Sequence, residues 1–139
     1  MNRTMKRIWI LLLILFVSLA LGGYILSDQM FPLAEPICCP DPEKVTAVYL
    51  SPKGDSPMEA AGAEALLAAI ACAEPTRLWS VNEFPAAEEY YTLVLVTPER
   101  EYRYYLYEED SRVYVESPYE GVYQRDARLL ESIASYISE

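Results

Sequence analysis

Tyrosines are the residues whose number and spacing most suggest a chemical role in this chain. Nine of the twelve fall between residues 90 and 123, at Tyr90, Tyr91, Tyr102, Tyr104, Tyr105, Tyr107, Tyr114, Tyr119 and Tyr123. Side chains alternate across a strand, so Tyr105 and Tyr107 would share one sheet face and Tyr102 and Tyr104 the other. One pair must face away from any helices, where an aromatic surface with wet hydroxyls can bind peptides, proteins or sugar rings. Tyrosines that only make cross-strand pairs are the alternative.

Groups for acid–base or metal chemistry are scarce. The chain contains no histidine, so it lacks the usual general base and the commonest metal ligand. It also lacks a phosphate-binding loop, a dinucleotide fingerprint and a nucleophile elbow. A hydrolase that uses carboxylates is the remaining enzymatic alternative, and Glu88, Glu89 and Glu116 are its test set. We predict that the protein is not an enzyme and that it has no catalytic residue, metal site or cofactor.

The three cysteines, Cys38, Cys39 and Cys72, leave one thiol over if two of them pair. Adjacent cysteines rarely bridge each other, because the small ring strains the peptide bond between them. The possible disulfide therefore joins Cys38 or Cys39 to Cys72, in a compartment that permits oxidation. Without histidine or a C-x-x-C spacing, the three do not form a metal-ligand pattern.

The start of the chain predicts a membrane anchor. Three cations within residues 1–7 precede Ile8–Leu26, an uncharged and mostly apolar run. About 20 apolar residues span a hydrocarbon core of about 30 Å. The position of the cations predicts a cytoplasmic tail at 1–7, a transmembrane signal-anchor at 8–26 and an extracytoplasmic remainder. Cleavage of a signal peptide near Ala20 or Gly22 is the alternative, and it would secrete the same domain.

The part of the chain after the anchor is strongly acidic. All 21 acidic residues but only eight of the eleven basic residues follow Leu26, which gives this part a formal net charge of −13. Such a surface repels nucleic acid and anionic lipid headgroups, and it suits basic partners or simply keeps the domain soluble. The partners we expect are the membrane and a protein or cell-wall ligand, with no nucleic acid.

The exported part predicts a stalk and one α+β domain. Residues 27–43 carry four prolines and no periodicity, which is typical of an extended stalk, and residues 44–139 suffice for one domain. The order β-α-β-β-β-β-α predicts a mainly antiparallel sheet of four to five strands packed by two helices. The predicted strands are Lys44–Leu50, Arg77–Val81, Tyr90–Thr97, Glu101–Glu108 and Arg112–Glu116.

Capping residues and apolar periodicity predict the two helices. Ser56–Glu59 has the residues of a capping box, so the first helix should run from there to about Ala73, and Pro75 should stop it. Its buried stripe would be Ala63, Leu66, Leu67 and Ile70. The second helix, Asp126–Ser138, should turn Leu129, Leu130, Ile133 and Ile137 inward, with Asp126 as its cap.

Two segments resemble the signatures of a known family. Ser80–Pro85 (SVNEFP) resembles Ser-Val-Asn-Asp-x-Pro, and Tyr114–Tyr123 (YVESPYEGVY) resembles Tyr-x-Glu-x-Pro-Tyr-x-Gly-Ile-Tyr. Both are similar to uncharacterised extracytoplasmic domains of Gram-positive bacteria, some of which are appended to receptor-type membrane metallopeptidases. The resemblance spans about residues 76–124. It implies an extracytoplasmic α+β domain and favours a binding or sensing module over an enzyme.

Together these observations predict a ligand site on the tyrosine-bearing sheet and the Pro118–Tyr123 loop. The ligand-binding residues would be Asn82, Tyr105, Tyr107, Glu116, Tyr119 and Tyr123. The ligand would be a peptide, a protein or a cell-wall fragment. Two alternatives stay open. In the first, Pro118 and Gly121 only shape a turn. In the second, the protein is an accessory or inhibitory subunit of a membrane complex.

Overall fold

The computed structural model describes residues 2–59 and 64–137. The chain divides into two compact units, of which the first ends at Leu33 and the second begins at Ala34. Helix α1, Arg3–Met30, fills most of the first unit, and its 28 residues are long and apolar enough to cross a membrane. A signal sequence meets the same criteria of length and composition, so the helix fits either a membrane anchor or a signal sequence.

The second unit is an α+β domain built on one antiparallel sheet. Its described elements, in chain order, are β1 (Ala47–Pro52), β2 (Met58–Glu59), α2 (Glu64–Ala71), β3 (Glu74–Pro75), β4 (Tyr91–Val96), β5 (Glu101–Glu109), β6 (Arg112–Ser117), β7 (Gly121–Arg125) and α3 (Arg128–Ile137). A short 3-10 helix, Pro42–Lys44, precedes β1. The strands are ordered β2-β1-β4-β5-β6-β7-β3. The α+β class is therefore confirmed, but the sheet has seven strands where four to five were predicted.

Helices α2 and α3 cover one face of the sheet, which we call the helix face. Alternation along β4 and β5 points Leu93, Leu95, Tyr104 and Leu106 toward this face, and all four are at most 1% exposed. The helices contribute buried side chains to the same cluster, namely Leu66, Leu67, Ile70, Leu129 and Ile133. Asp126 Oδ1 accepts a hydrogen bond of 3.2 Å from the Arg128 N–H, so the predicted cap is confirmed.

The predicted start of the first helix is wrong. Met58 and Glu59 form β2, whose residues pair with Leu50 and Tyr49 of β1, and the described part of α2 begins at Glu64. The exposed edge of β1 offers these residues backbone partners, and that pairing takes the place of the capping-box geometry. Ala63 of the predicted stripe lies outside the described residues, whereas Leu66, Leu67 and Ile70 are buried as predicted.

The predicted strand Arg77–Val81 is also wrong. Thr76 is bonded to Val122 of β7 twice, through its N–H (3.1 Å) and its Oγ1 hydroxyl (2.7 Å). Thr76 Oγ1 also accepts a bond of 3.1 Å from the Leu78 N–H, which turns the chain away from the sheet edge. The short strand beside β7 is therefore β3, Glu74–Pro75, and residues 77–81 continue as a loop.

Residues 34–43, assigned from sequence to the stalk, belong to the second compact unit. The Ala34 N–H donates to the Thr76 carbonyl oxygen at 3.0 Å, and the Tyr104 hydroxyl donates to the Cys38 carbonyl oxygen at 2.5 Å. A Cβ atom built on Gly121 would lie only 2.8 Å from Ala34 Cβ, so glycine is what allows this segment to pack there. The thiols of Cys38, Cys39 and Cys72 are free in the structure.

Candidate functional site

The second face of the sheet, which we call the loop face, carries a polar aromatic cluster. Its side chains come from three adjacent strands and include Tyr105 and Tyr107 of β5, Tyr114 and Glu116 of β6, and Val122 of β7. Residues 76–90, which we call the covering loop, lie over this face. Phe84 and Tyr90 of the loop place their rings 5.9 and 5.3 Å from the Tyr105 ring. The loop therefore buries the tyrosines that the sequence predicted to be exposed.

Glu116 is the polar centre of the loop face. It is 6% exposed, and its two carboxylate oxygens accept hydrogen bonds from different hydroxyls. Ser80 Oγ donates to Oε1 at 2.7 Å, and the Tyr107 hydroxyl donates to Oε2 at 3.1 Å. Ser80 Oγ also accepts the Tyr119 N–H at 3.2 Å. One buried carboxylate thus connects the covering loop, strand β5 and the turn after β6.

The same network explains the chemistry of Tyr107. Burial raises the pKa of its hydroxyl above the usual value, and the negative charge of Glu116 and the hydrogen bond to it raise that pKa further. The phenol therefore stays protonated and acts as a donor to Glu116. This arrangement holds a buried carboxylate in place, and Tyr107 does not have the character of a general base.

The turn after β6 holds Tyr119 in an unusual conformation. Its φ angle is +64°, and its side chain is 68% exposed. The Glu120 N–H donates to the Ser117 carbonyl oxygen at 3.1 Å, and Ser117 Oγ donates to Glu120 Oε2 at 2.7 Å. The turn therefore presents the Tyr119 ring to solvent while its N–H stays bonded to Ser80.

The six predicted ligand-binding residues lie in three different environments. Asn82 and Tyr119 are exposed, whereas Tyr105, Tyr107 and Glu116 are buried on the loop face. Tyr123 is 1% exposed and lies on the helix face, in the main core cluster. The expected open tyrosine surface is thus wrong, because the covering loop fills the space above β5 and β6.

Sequence reasoning missed a patch of large apolar side chains on the covering loop. Leu78, Trp79, Val81 and Phe84, which we call the loop patch, are 50%, 61%, 63% and 53% exposed. Four large apolar residues within seven positions have the composition of a strand, so the sequence predicted a strand here instead of an exposed patch. The exposure of the loop patch could have been predicted from Ser80, because neighbours of a polar residue that anchors a loop tend to face outward.

Two cavities adjoin these features. A cavity of about 180 Å³ lies between the covering loop and the sheet, and its lining includes Asn82, Tyr107 and Glu116. A more open cleft of about 360 Å³ lies where β6 stops pairing with β5, beyond Tyr105, and side chains of both charges line it. Of the six predicted ligand-binding residues, Asn82, Tyr107 and Glu116 line the smaller cavity.

The structure separates the three carboxylates of the hydrolase alternative. Glu88 and Glu89 are exposed, and Glu116 is buried beneath the loop. None of the cavities described above brings two of these three together. Within residues 2–59 and 64–137, no group of three or more histidine, cysteine, aspartate or glutamate residues is placed to hold a metal ion.

These features define the class of protein: a small α+β domain with one sheet face under helices and the other under a long loop, preceded by an apolar helix. The chain belongs to the family described as "Domain of unknown function (DUF5300)", which matches residues 34–124. That range contains both sequence motifs, so the predicted membership of an uncharacterised family is confirmed. The extracytoplasmic setting of that family and its attachment to metallopeptidases stay predictions.

The domain is also similar to a solved structure, described as "NMR structure of the protein from Ruminococcus gnavus". The two chains share 26% sequence identity with a TM-score of 0.53. The similarity covers 63% of this chain and 89% of that one, which indicates that the relative consists mainly of this domain. No curated protein matches the chain.

Proposed function

We propose that the protein is a membrane-anchored binding module. Helix α1 would anchor it with the N-terminus in the cytoplasm, and the domain of residues 34–139 would work outside, where it binds a peptide, a protein or a cell-wall fragment. The cations before Ile8 support this orientation by the positive-inside rule. Secretion after cleavage near Ala20 or Gly22 would place the same domain in the same compartment.

The observation that carries the binding function is the loop patch. Large apolar side chains that protrude together from an anchored loop are typical of surfaces that contact another molecule. Ser80, in the middle of the patch, is bonded to Glu116 and to the Tyr119 N–H, so the loop is held in one conformation before any ligand arrives. A surface organised in advance loses less conformational entropy on binding.

Site-specific photo-crosslinking in the native membrane tests this proposal. A photoreactive residue at Val81 should give one discrete adduct, whereas the same residue at Glu131, exposed on α3, should give none. Ser80→Ala should weaken the Val81 adduct, since it releases the loop. Equal labelling at both positions, or labelling at neither, would contradict a binding function for the loop patch.

A third crosslinking position distinguishes the binding module from the alternative, an accessory subunit of a membrane complex. A photoreactive residue at Leu15 in α1 should give no reproducible adduct if the exported domain alone binds the ligand. A discrete adduct from Leu15 without one from Val81 would favour a subunit of a membrane complex. Reporter fusions to the C-terminus test the location, and activity confined to the cell interior would overturn it.

A further inference from the structure

The cavity beneath the covering loop combines aromatic rings with carboxylates. Its volume is about 180 Å³, and its polar and aromatic lining consists of Trp79, Asn82, Phe84, Tyr107, Glu109 and Glu116. The other lining residues are aliphatic, and no lysine or arginine is among them. The cavity is therefore a negatively charged site with an aromatic wall.

Neither of its two carboxylates, Glu109 and Glu116, forms an ion pair among the described residues, although Arg112 lies opposite Glu109 in the β5–β6 register. Glu116 is only 6% exposed. Burial of a carboxylate without an opposite charge is unfavourable, and two hydroxyl donors offset this only in part. Each oxygen of Glu116 accepts one described hydrogen bond and can accept another. A cation that enters the cavity would supply the missing charge.

The aromatic wall favours an organic cation. Trp79, Phe84 and Tyr107 contribute rings to the lining, and the face of an aromatic ring attracts an ammonium group within about 6 Å. Tryptophan is the strongest of the three types in such contacts. An anion would be repelled by both carboxylates, and a neutral apolar group would gain nothing from them.

The volume of the cavity and its hydrogen-bond acceptors indicate which organic cation it would bind. Sites for whole drug-sized ligands have volumes of about 300–1,000 Å³, so a cavity of this size holds one side chain. A primary ammonium has three N–H donors, which the carboxylates and the Asn82 side-chain oxygen can accept, whereas a quaternary ammonium has none. Val81 and Phe84 line the cavity and are each more than half exposed, so they also offer apolar surface to the chain that carries the amine.

Building on the binding function proposed above, we propose that this cavity binds the primary ammonium group of a lysine side chain in a partner peptide. The net charge of −13 in the exported part attracts such a peptide from a distance. The carboxylates and rings of the cavity then select the ammonium group itself.

Tryptophan fluorescence of the full-length chain in detergent micelles tests the proposal. Trp9→Phe leaves Trp79, which lines the cavity, as the single tryptophan, and excitation at the red edge of the absorption band avoids the twelve tyrosines. The probe is the peptide acetyl-Ala-Lys-Ala-amide, and its matched control carries norleucine in place of lysine. We expect saturable binding of the lysine peptide with a dissociation constant on the order of 1 mM, and binding of the norleucine peptide at least about tenfold weaker.

Glu108 and Glu109 are adjacent but lie on opposite sheet faces, so their glutamine variants form a matched test and control for the lining charge. Glu109→Gln removes a lining charge and should weaken lysine-peptide binding about threefold to fivefold. Glu108→Gln removes the same charge one residue away, outside the cavity lining, and should change binding by less than about twofold. Phe84→Leu keeps an apolar side chain without the ring and should weaken binding about threefold.

The outcomes separate the proposal from its rivals. Equal binding of the two peptides, no binding of either, or equal effects of the two glutamine variants would overturn the ammonium site. Butylammonium that binds as tightly as the lysine peptide would overturn the peptide assignment in favour of a free amine. A Val81 adduct in the membrane together with no lysine binding would overturn this inference while leaving the binding function standing.

Discussion

The two faces of the sheet are stabilised in different ways. On the helix face, Leu93, Leu95, Leu106 and Val115 are wholly buried against α2 and α3. On the loop face, hydroxyls and one carboxylate make directional bonds under a loop that has no helix or strand between Thr76 and Tyr90. Apolar packing is not directional, whereas a hydrogen-bonded carboxylate fixes one arrangement of its partners. We therefore expect the helix face to supply most of the stability and the loop face to supply the fixed shape that the proposed binding surface needs.

The largest effect should come from the helix face. Leu106→Ala removes a fully buried side chain from β5, the middle strand, and should lower the free energy of unfolding by about 2–5 kcal/mol. Denaturant unfolding of the full-length chain in micelles, followed by near-ultraviolet circular dichroism, measures it. The neighbouring change on the loop face, Tyr107→Phe, should cost less. The reverse order would break the comparison between the faces.

The second-largest loss of stability should come from changing Glu116, the carboxylate of the loop face. Glu116→Gln places an amide against two hydroxyl donors and should destabilise the domain by about 1–3 kcal/mol. Ser80→Ala should destabilise it by a similar or smaller amount. Because the two side chains are bonded, their effects should be less than additive in a double-mutant cycle. Strict additivity would mean that the Ser80–Glu116 bond does not hold the loop in solution.

Alkaline pH should affect the two faces through different tyrosines. Burial is the largest cause that raises the pKa of Tyr104 on the helix face and of Tyr107 on the loop face above their usual 10.0. Stability from these phenols is therefore fully present below about pH 10, and it is lost as the pH rises through their higher folded-state values. Glu116→Gln should lower the pKa of Tyr107 and leave that of Tyr104 unchanged.

An NMR titration of assigned tyrosine ring carbons measures both groups in one sample. Tyr104 serves as the internal control, because the Glu116 charge is not among the causes that shift its pKa. A parallel shift of the two tyrosines in the variant would point to general loosening of the fold.

The smallest effect on stability should come from the loop patch itself. Val81→Ser changes a side chain that is 63% exposed, and the free energy of unfolding should stay within about 0.5 kcal/mol of the unmodified protein. The same variant should lose most crosslinking from a photoreactive residue at position 84. A large loss of stability would show that Val81 supports the fold, and the proposed division between the faces would then need revision.

Local sequence signals made part of the fold predictable. The β-branched and aromatic residues of Tyr91–Val96 and Arg112–Ser117 identified β4 and β6, and the apolar stripe of Leu129 and Ile133 identified α3. Strand β7 has five residues, but it begins inside the Tyr114–Tyr123 motif, whose Pro118 and Gly121 indicate a turn. Strands β2 and β3 have two residues each, which is too short for a periodic signal. Their pairing depends on distant partners, which a single sequence does not reveal.

The sequence identified some residues of the candidate site but not which of them are exposed. Asn82 and Glu116 were selected because they lie in the two motifs, and both line the cavity under the covering loop. The burial of Tyr105 and Tyr107 depends on where residues 76–90 lie, because strand alternation sets only the face of a side chain. The Thr76 turn, which directs that loop across the face, has no periodic signature.

The segment that packs through Ala34 and Gly121 has a consequence for biosynthesis. Residues 34–40 leave the ribosome before every strand of the domain, yet their partners Thr76, Tyr104 and Gly121 come much later, with the Tyr104–Cys38 bond spanning 66 residues. Contacts this remote in sequence form late, after their intervening elements exist. The earliest part of the domain to be translated therefore cannot complete its packing until Gly121 of β7 has been made, and a nascent chain halted before β7 would leave it partly exposed.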